Sequence, residues 1–418
     1  MFTSGKRRVF VLLAGIGMGL LPAVVQPATA VAAGGTLYAI GASTPGEAVV
    51  SIDLVSGAAS QLTDLTVPGA IDAQSSDLSA DPAGHRLFLI RTVVTGFDPT
   101  YGFPIFEFQV VTVNALTGAI VSKPAFSGMA AQSLKFDSAS GSLFGLTQTQ
   151  VVKVDAASAA ITPFANIPNP YGVYIYSTAV DSASHTLYIA QEDVSGSVET
   201  SSTRIFTVDT SSPGSISAGV VTDHAIRQIG VDGPLLYGIT ECCPANLVSI
   251  DKTTGVTTFI AAVGDSNTFV QFGTAADPAT NTVFVNINPR DPITGQSISE
   301  LLEVNVSNPG ASATVPLPSG SVGMVFVPPA PVITPQSIVN DVKSALATGA
   351  IKNSGLAKAL ISQLNAAAGA RSRGQCSTAA NDYRAFINTV NAQSGKLITA
   401  STASQLIGEA QFLIANCP

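Results

Sequence analysis

Eight aspartates recur at two kinds of position, and carboxylates in such numbers invite two chemistries: general acid–base catalysis and cation binding. Asp81, Asp137, Asp181 and Asp277 each end an apolar run and precede a short polar stretch. Asp53, Asp155, Asp209 and Asp251 each close an alternating apolar phrase. His85, His185 and His224 could act as bases or ligands, and Cys242-Cys243 could form a disulfide between neighbours. Glycoside hydrolysis needs two carboxylates held at a set separation, and a calcium loop needs acids at alternate residues of one short segment. Neither pattern occurs. Instead the acids lead into segments such as Asp53-Leu-Val-Ser-Gly57 and Asp251-Lys-Thr-Thr-Gly255. There an Asp accepts hydrogen bonds from its own downstream backbone, and Gly takes a positive φ. The eight acids therefore read as turn caps, and His85 and His185 occupy matching places in two of the turns. No metal site and no cofactor are expected from these residues.

The elements that hold these turns are repeated. An aliphatic–aromatic pair occurs at Leu37–Tyr38, Leu87–Phe88, Leu143–Phe144, Leu187–Tyr188, Leu236–Tyr237 and Val283–Phe284, with starts 50, 56, 44, 49 and 47 residues apart. Each pair is followed by two alternating apolar residues and Asp or Asn: Val50-Ser-Ile52-Asp53, Val111-Thr-Val113-Asn114, Val152-Lys-Val154-Asp155, Phe206-Thr-Val208-Asp209, Val248-Ser-Ile250-Asp251 and Leu302-Glu-Val304-Asn305. Each repeat reads as four antiparallel strands joined by turns, and a period of this length marks stacked sheets. The expected architecture is an all-β propeller over residues 34–327 with six four-stranded blades, a seven-blade ring or an open array being the alternatives. The first repeat lacks a strand before its Leu–Tyr pair, and the apolar stretch 321–327 has no partner of its own. Pairing the two closes the ring and removes both sheet edges. The aromatic residues then pack between blades. The repeats resemble the secreted bacterial propellers with LY and IDxxTG motifs, a class that implies this fold and little about function.

Composition bounds the rest. The 418 residues are 46% apolar and 11% charged, which suits a β-rich chain with a large core and does not suit disorder. Lys6, Arg7 and Arg8, the apolar run Val9–Val25 and the Ala28-Thr-Ala30 site read as a signal peptide over residues 1–30. No cysteine lies beside that site to carry a lipid, so a secreted or extracytoplasmic protein is expected, with no stable membrane insertion after cleavage. Residues 31–332 carry 24 acidic against 9 basic side chains, whereas residues 333–418 carry 3 against 7. An acidic main body disfavours nucleic acid as a partner.

After Val327 a Pro-rich linker is expected at 328–335, and the apolar period changes from 2 to 3.6. Ile338, Val342, Leu346 and Ile351 open one helical stretch, and Leu356, Leu360, Ile361 and Leu364 mark a second. A third runs from about Cys376 to Gln393, ended by Gly395, and a fourth holds Leu406, Ile407, Ala410, Phe412 and Leu413. With its Ala-x-x-x-Tyr-x-x-Phe-Ile run leading into Gln-Ser-Gly-Lys, the segment 336–418 resembles the FIMAH domain. That resemblance implies an accessory helical module of exported bacterial proteins, many of them hydrolases, and supplies no catalytic residue.

Strand alternation puts the capped turns on one face of the ring. The opposite face carries the loops between second and third strands and the blade-to-blade connections, which vary in length and are the expected binding face. Thr92–Pro104, Gln191–Arg204 and Asn288–Ile298 are its long loops. The ligand-binding candidates there are Arg91, Glu107, Tyr171, Tyr174, Glu192, His224, Arg227, Glu241 and Arg290, with Asp98 and Tyr101 beside them. Four cysteines allow three pairings. Cys376 and Cys417 fall where the third and fourth helices meet, which favours that staple and leaves Cys242–Cys243 as a vicinal disulfide. The expected function is a non-catalytic binding or scaffold protein that presents one face to an extracellular glycan, peptide or protein. The alternative is a secreted hydrolase or lyase working at the mouth of the ring. A quinone-dependent enzyme is a remote third reading, since Trp is absent.

Overall fold

The computed structural model describes residues 34–42, 46–70, 72–127, 131–168, 175–193, 202–241, 244–265, 268–290, 294–317, 321–329 and 333–415. The signal-peptide assignment over 1–30 lies outside them, as do Tyr171, Tyr174, Cys242, Cys243 and Cys417.

Among these residues 24 strands form six four-stranded sheets. Blade 1 contains β1 (Thr36–Ala42), β2 (Glu47–Ile52) and β3 (Ala59–Asp64). Blade 2 is β4 (Asp72–Asp81), β5 (Arg86–Phe97), β6 (Pro104–Asn114) and β7 (Ile120–Ser122). Blade 3 is β8 (Ser133–Asp137), β9 (Ser142–Leu146), β10 (Gln150–Val154) and β11 (Ile161–Asn166). Blade 4 follows as β12 (Ile175–Asp181), β13 (Thr186–Asp193), β14 (Ser202–Asp209) and β15 (Val220–Val221). Blade 5 is β16 (Ile226–Asp232), β17 (Leu235–Thr240), β18 (Asn246–Ile250) and β19 (Thr257–Ala262). Blade 6 is β20 (Phe269–Asp277), β21 (Thr282–Asn288), β22 (Glu300–Asn305) and β23 (Ala313–Pro316). The last strand, β24 (Val322–Val327), pairs antiparallel with β1, Leu37 against Phe326 and Tyr38 against Val325. The inner strands β24, β4, β8, β12, β16 and β20 contact one another in turn around an axis. The protein is thus a closed six-bladed propeller followed by four helices.

The repeated residue pair has a packing cause. Neighbouring residues of a strand point to opposite faces of the sheet, and each blade has a neighbour on both faces. Leu187 lies in the core between blades 3 and 4, and Tyr188 in the core between blades 4 and 5. The same division holds for Leu37 and Tyr38, Leu87 and Phe88, Leu143 and Phe144, Leu236 and Tyr237, and Val283 and Phe284. The aliphatic member always meets the preceding blade and the aromatic member the next. The two apolar residues of each following phrase, such as Val111 and Val113, join the aliphatic side. Rings therefore bridge blades: Phe88 stacks on Phe136 at 5.5 Å and Phe284 on Phe326 at 5.6 Å.

The turns are built as their residues require. Asp251 Oδ1 accepts from Thr253 N at 2.9 Å and Thr254 N at 2.7 Å, and Asn114 does the same for Leu116 and Thr117. Such bonds to the charged form hold Asp53, Asp209 and Asp251 below the usual carboxylate range. His85 and His185 take left-handed backbone at φ 51° and 52°. At Gly118, φ is 71°, and a Cβ would overlap the Leu62 carbonyl oxygen of the preceding blade's outer strand. Gly57 against Pro316 and Gly255 against Val221 repeat that contact at other junctions.

The segment from Thr92 to Pro104 is less of a loop than its length implies. β5 runs on to Phe97 and β6 begins at Pro104, so the true turn is only Asp98–Phe103. The β-branched run Thr92-Val-Val-Thr95 and the facing Ile105 and Phe106 favour strand beyond the limits of the other blades. The helices are α1 (Pro335–Ala347), α2 (Ser354–Ser372), α3 (Cys376–Gln393) and α4 (Ala400–Ala415). Thr334 and Ser337 form a capping box on α1, and Asn353 caps α2. Their shared core is centred on Ile338, Leu360, Tyr383, Phe386 and Leu406.

Candidate functional site: the central channel and a projecting hairpin

The inner strands enclose a cavity of about 530 Å³ along the axis. Five of them end in an acid: Asp81, Asp137, Asp181, Asp232 and Asp277. The fourth residue back from each is Asp77, Ser133, Ser177, Gln228 or Gly273, and Gly323 stands at the same level in β24. These polar or small residues ring the channel. Five of the six inner strands shift register near this depth, with bulges around Asp77, Tyr176, Arg227, Gly273 and Gly323.

Asp77 is the centre of this ring. Its backbone is left-handed at φ 51°. Its Oδ1 accepts from Lys135 Nζ at 2.5 Å, and its Oδ2 accepts from Ser133 Oγ at 2.5 Å and Leu134 N at 2.9 Å. Ser133 Oγ in turn meets Thr178 Oγ1 at 2.8 Å, so one chain of polar contacts spans blades 2, 3 and 4. Across the channel Gln228 donates to Gln271 O at 2.5 Å and accepts from Gly273 N at 3.2 Å. These three donors engage both oxygens of the Asp77 carboxylate. Among the described residues no group of three or more His, Cys, Asp or Glu side chains could hold a metal ion.

Two buried carboxyls stand apart from this pattern. Asp232 is 4% exposed, and neither of its oxygens has a hydrogen-bond partner. The other inner-strand acids cap their turns, but Asp232 leads into Gly233-Pro234, and Pro has no N–H to offer. Burial, reinforced by the charge of Asp277, pushes its carboxyl up to about 6. Glu303 in β22 is pushed up to about 7 by burial. The hydroxyl of Tyr237, fully enclosed beside Asp232, is likewise raised by burial.

The candidates from sequence divide into local groups. Arg91 is 2% exposed in β5, donating to Gln109 Oε1 at 3.1 and 2.6 Å and to Leu65 O of blade 1 at 2.9 Å. Glu107 accepts from the same Gln109. Desolvation lowers the Arg91 pKa, opposed by the charges of Glu47 and Glu107. Arg227, at the bulge of β16, forms an ion pair with Glu241. Blades 2 and 5 are three places apart in a ring of six, so these two groups lie on opposite sides of the ring. His224 contacts Asp223 at 3.2 Å and Thr257 of the outer strand β19 at 2.9 Å, which puts it on the rim between blades 4 and 5. Arg290 lies over the Phe269 ring at 5.4 Å. Glu192 belongs to β13, opposite Thr203.

Sequence reasoning passed over Asp77 and Gln228, although polar residues four places before the turn acids were the signal for them, and it passed over Lys135. It also passed over most of the hairpin of β5 and β6. Phe97, Tyr101, Phe103, Ile105 and Phe106 are exposed there, by 48% at Ile105 and 75% at Tyr101. Asp98 rigidifies the tip, accepting from Thr100 N at 2.7 Å and Tyr101 N at 2.9 Å.

Residues 336–415 match the FIMAH domain. No curated protein matches the chain. Among solved structures, a calcium-binding protein, regucalcin, from Agrobacterium tumefaciens is 13% identical, covering 61% of this chain and 78% of its own, with a TM-score of 0.43. A putative 6-phosphogluconolactonase from Bacteroides uniformis is 14% identical, covering 70% and 99%, with a TM-score of 0.38. The GH74 enzyme of Niastella koreensis is 14% identical, covering 69% of this chain and 46% of its own, with a TM-score of 0.44. Likeness at this level says nothing of ligand or reaction.

Proposed function

We propose that the protein is an exported, non-catalytic binding protein that presents the loop face of its propeller to an extracellular partner, with the helical module as an accessory. The observation that carries this reading is the β5–β6 hairpin. It projects from the loop face and holds five large apolar side chains in solvent, a pattern that marks interaction sites. The channel supports the same reading, because its Asp77 carboxylate is already bound to Lys135, Ser133 and backbone. A hydrolase or lyase would have to free that group first. Export rests on the residues of the 1–30 segment and on the FIMAH match, and among the described residues no helix is long and apolar enough to cross a membrane.

The staple Cys376–Cys417 belongs to the same proposal. Arg371 at the end of α2 donates to Leu413 O of α4 at 2.8 Å, bringing that end of α4 to the α2–α3 corner where Cys376 begins α3, which supports it. Peptide mapping without reduction tests it; a cross-link from Cys376 to Cys242 or Cys243 refutes it. The binding reading is tested by retention of the mature protein on glycan and peptidoglycan, with and without residues 333–418. Retention that survives removal of the tail supports it, and complete loss places recognition in the helices instead.

A further inference from the structure

The hairpin carries enough chemistry to name a class of ligand, an inference that rests on the reading of the loop face as the binding face. Its aromatic side chains are arranged, not scattered. Tyr101 and Phe103 have ring centroids 6.4 Å apart at 27°, and Phe106 and Phe108 have theirs 6.3 Å apart at 37°. The first pair is stacked and the second tilted, and Tyr101, Phe103 and Phe106 each keep at least half of their surface in solvent.

Charge excludes one set of partners. From residue 92 to 109 the charged side chains are Asp98 and Glu107, with no cation among them. A hairpin without Lys or Arg, on an acidic ring, is not built for nucleic acid or for an anionic membrane.

The backbone argues against another set. A free strand edge recruits an extended peptide or a second copy through main-chain hydrogen bonds. Here β6 opens with Pro104, which has no N–H, and the β5–β6 register shifts between Val94 and Gly96. Proline and a bulge are two of the devices that blunt an edge. Recognition is left to the side-chain faces.

A partner suited to those faces is flat, uncharged, and bears C–H groups on its faces and hydroxyls at its edges. The negative face of an aromatic ring attracts polarised C–H groups. Exposed rings following one another along a hairpin suit successive sugars of a chain. We infer that the hairpin from Thr95 to Phe108 binds an uncharged β-linked polysaccharide. The sugar rings stack on Tyr101, Phe103 and Phe106, and their hydroxyls bond to the Asp98 carboxylate at the tip.

The test is co-sedimentation of the mature full-length protein with cellulose, chitin and curdlan, with phosphatidylcholine vesicles as the apolar control. The variants are Tyr101→Ala, Phe106→Ala and the triple change Tyr101→Ala/Phe103→Ala/Phe106→Ala, and circular dichroism checks their fold. Should the triple variant fail to fold, the two single variants carry the test. The expected result is retention on at least one polysaccharide, weakened about tenfold or more by the triple change, with no retention on vesicles. Retention on polysaccharide that the hairpin variants leave intact overturns this inference and leaves the loop-face reading standing. Hairpin-dependent binding to vesicles alone, or hairpin-dependent self-association in light scattering, also overturns it. If nothing is retained on any polysaccharide, this inference fails, and if peptidoglycan too is left in solution, the loop-face reading fails with it.

Discussion

Asp232 and Asp277 end the inner strands of adjacent blades, and the charge of Asp277 disfavours that of Asp232. At other junctions the inner-strand acid meets a better partner across the gap. Asp137 accepts from Thr210 Oγ1 at 2.8 Å and lies 3.4 Å from His185, while Asp181 is 4.0 Å from Lys252.

This relationship makes the ring sensitive to pH. Asp232 has a folded pKa of about 6, above its ordinary value of 3.8. Its charge therefore costs stability above pH 6, and the cost fades as the pH falls from about 6 towards 4. Asp232→Asn should raise stability at pH 8 by on the order of 2 kcal/mol and change little at pH 4. Urea midpoints of both proteins at the two pH values check this.

Glu303 extends the argument to another junction. It is 9% exposed, its Oε1 has no partner, and burial lifts its carboxyl to about 7. The penalty for its charge is present above pH 7 and is relieved as the pH falls towards its ordinary value of 4.5. Glu303→Gln should raise the unfolding temperature at pH 8 and leave it nearly unchanged at pH 4.5. An unchanged melting curve at pH 8 would refute the assignment.

Arg91 should matter for stability through its bonds to Gln109 and Leu65. Arg91→Ala leaves those acceptors buried and empty, at a cost of roughly 3 kcal/mol. Lysine cannot reproduce the paired bonds to Gln109, so Arg91→Lys should recover less than half of the loss in a denaturant titration.

Glycine at 118 and glycine at 102 give a matched comparison. Both have positive φ, 71° and 69°, but a Cβ at Gly118 would strike Leu62 O, whereas nothing stands within 4 Å of one at Gly102. Gly102→Ala should cost about 1 kcal/mol from backbone strain alone. Gly118→Ala should cost at least twice that, because the blade junction must also part. Thermal unfolding of the two variants separates the terms.

The architecture was legible in the sequence because its cause is local. A residue pair that must satisfy two neighbouring blades at once, such as Leu87 and Phe88, is forced to recur in every repeat. The closing strand was legible too, since an apolar segment without a partner and a repeat missing a strand imply each other. Asp232 was not found, because the shortened turn at Gly233-Pro234 breaks the spacing by which the other acids were recognised. Arg91 reads in the sequence as a charge at the start of a loop, but it lies within β5, and its burial depends on Gln109 and Leu65 standing beside it. The aromatic hairpin was seen as a long loop, since exposure of Phe103 or Phe106 depends on where the neighbouring blades end. That information is three-dimensional.

Ring closure also governs how this chain can fold. β1 is synthesised before every other strand of the ring, yet Thr36 must find Val327 at the far end of it. Until β24 arrives, one edge of blade 1 is unpaired, and the core between blades 6 and 1 lacks Met324 and Phe326. Contacts so distant in sequence make for slow folding, with the open edge exposed to other chains throughout. The strand that completes the native ring is therefore also the one whose delay most favours aggregation.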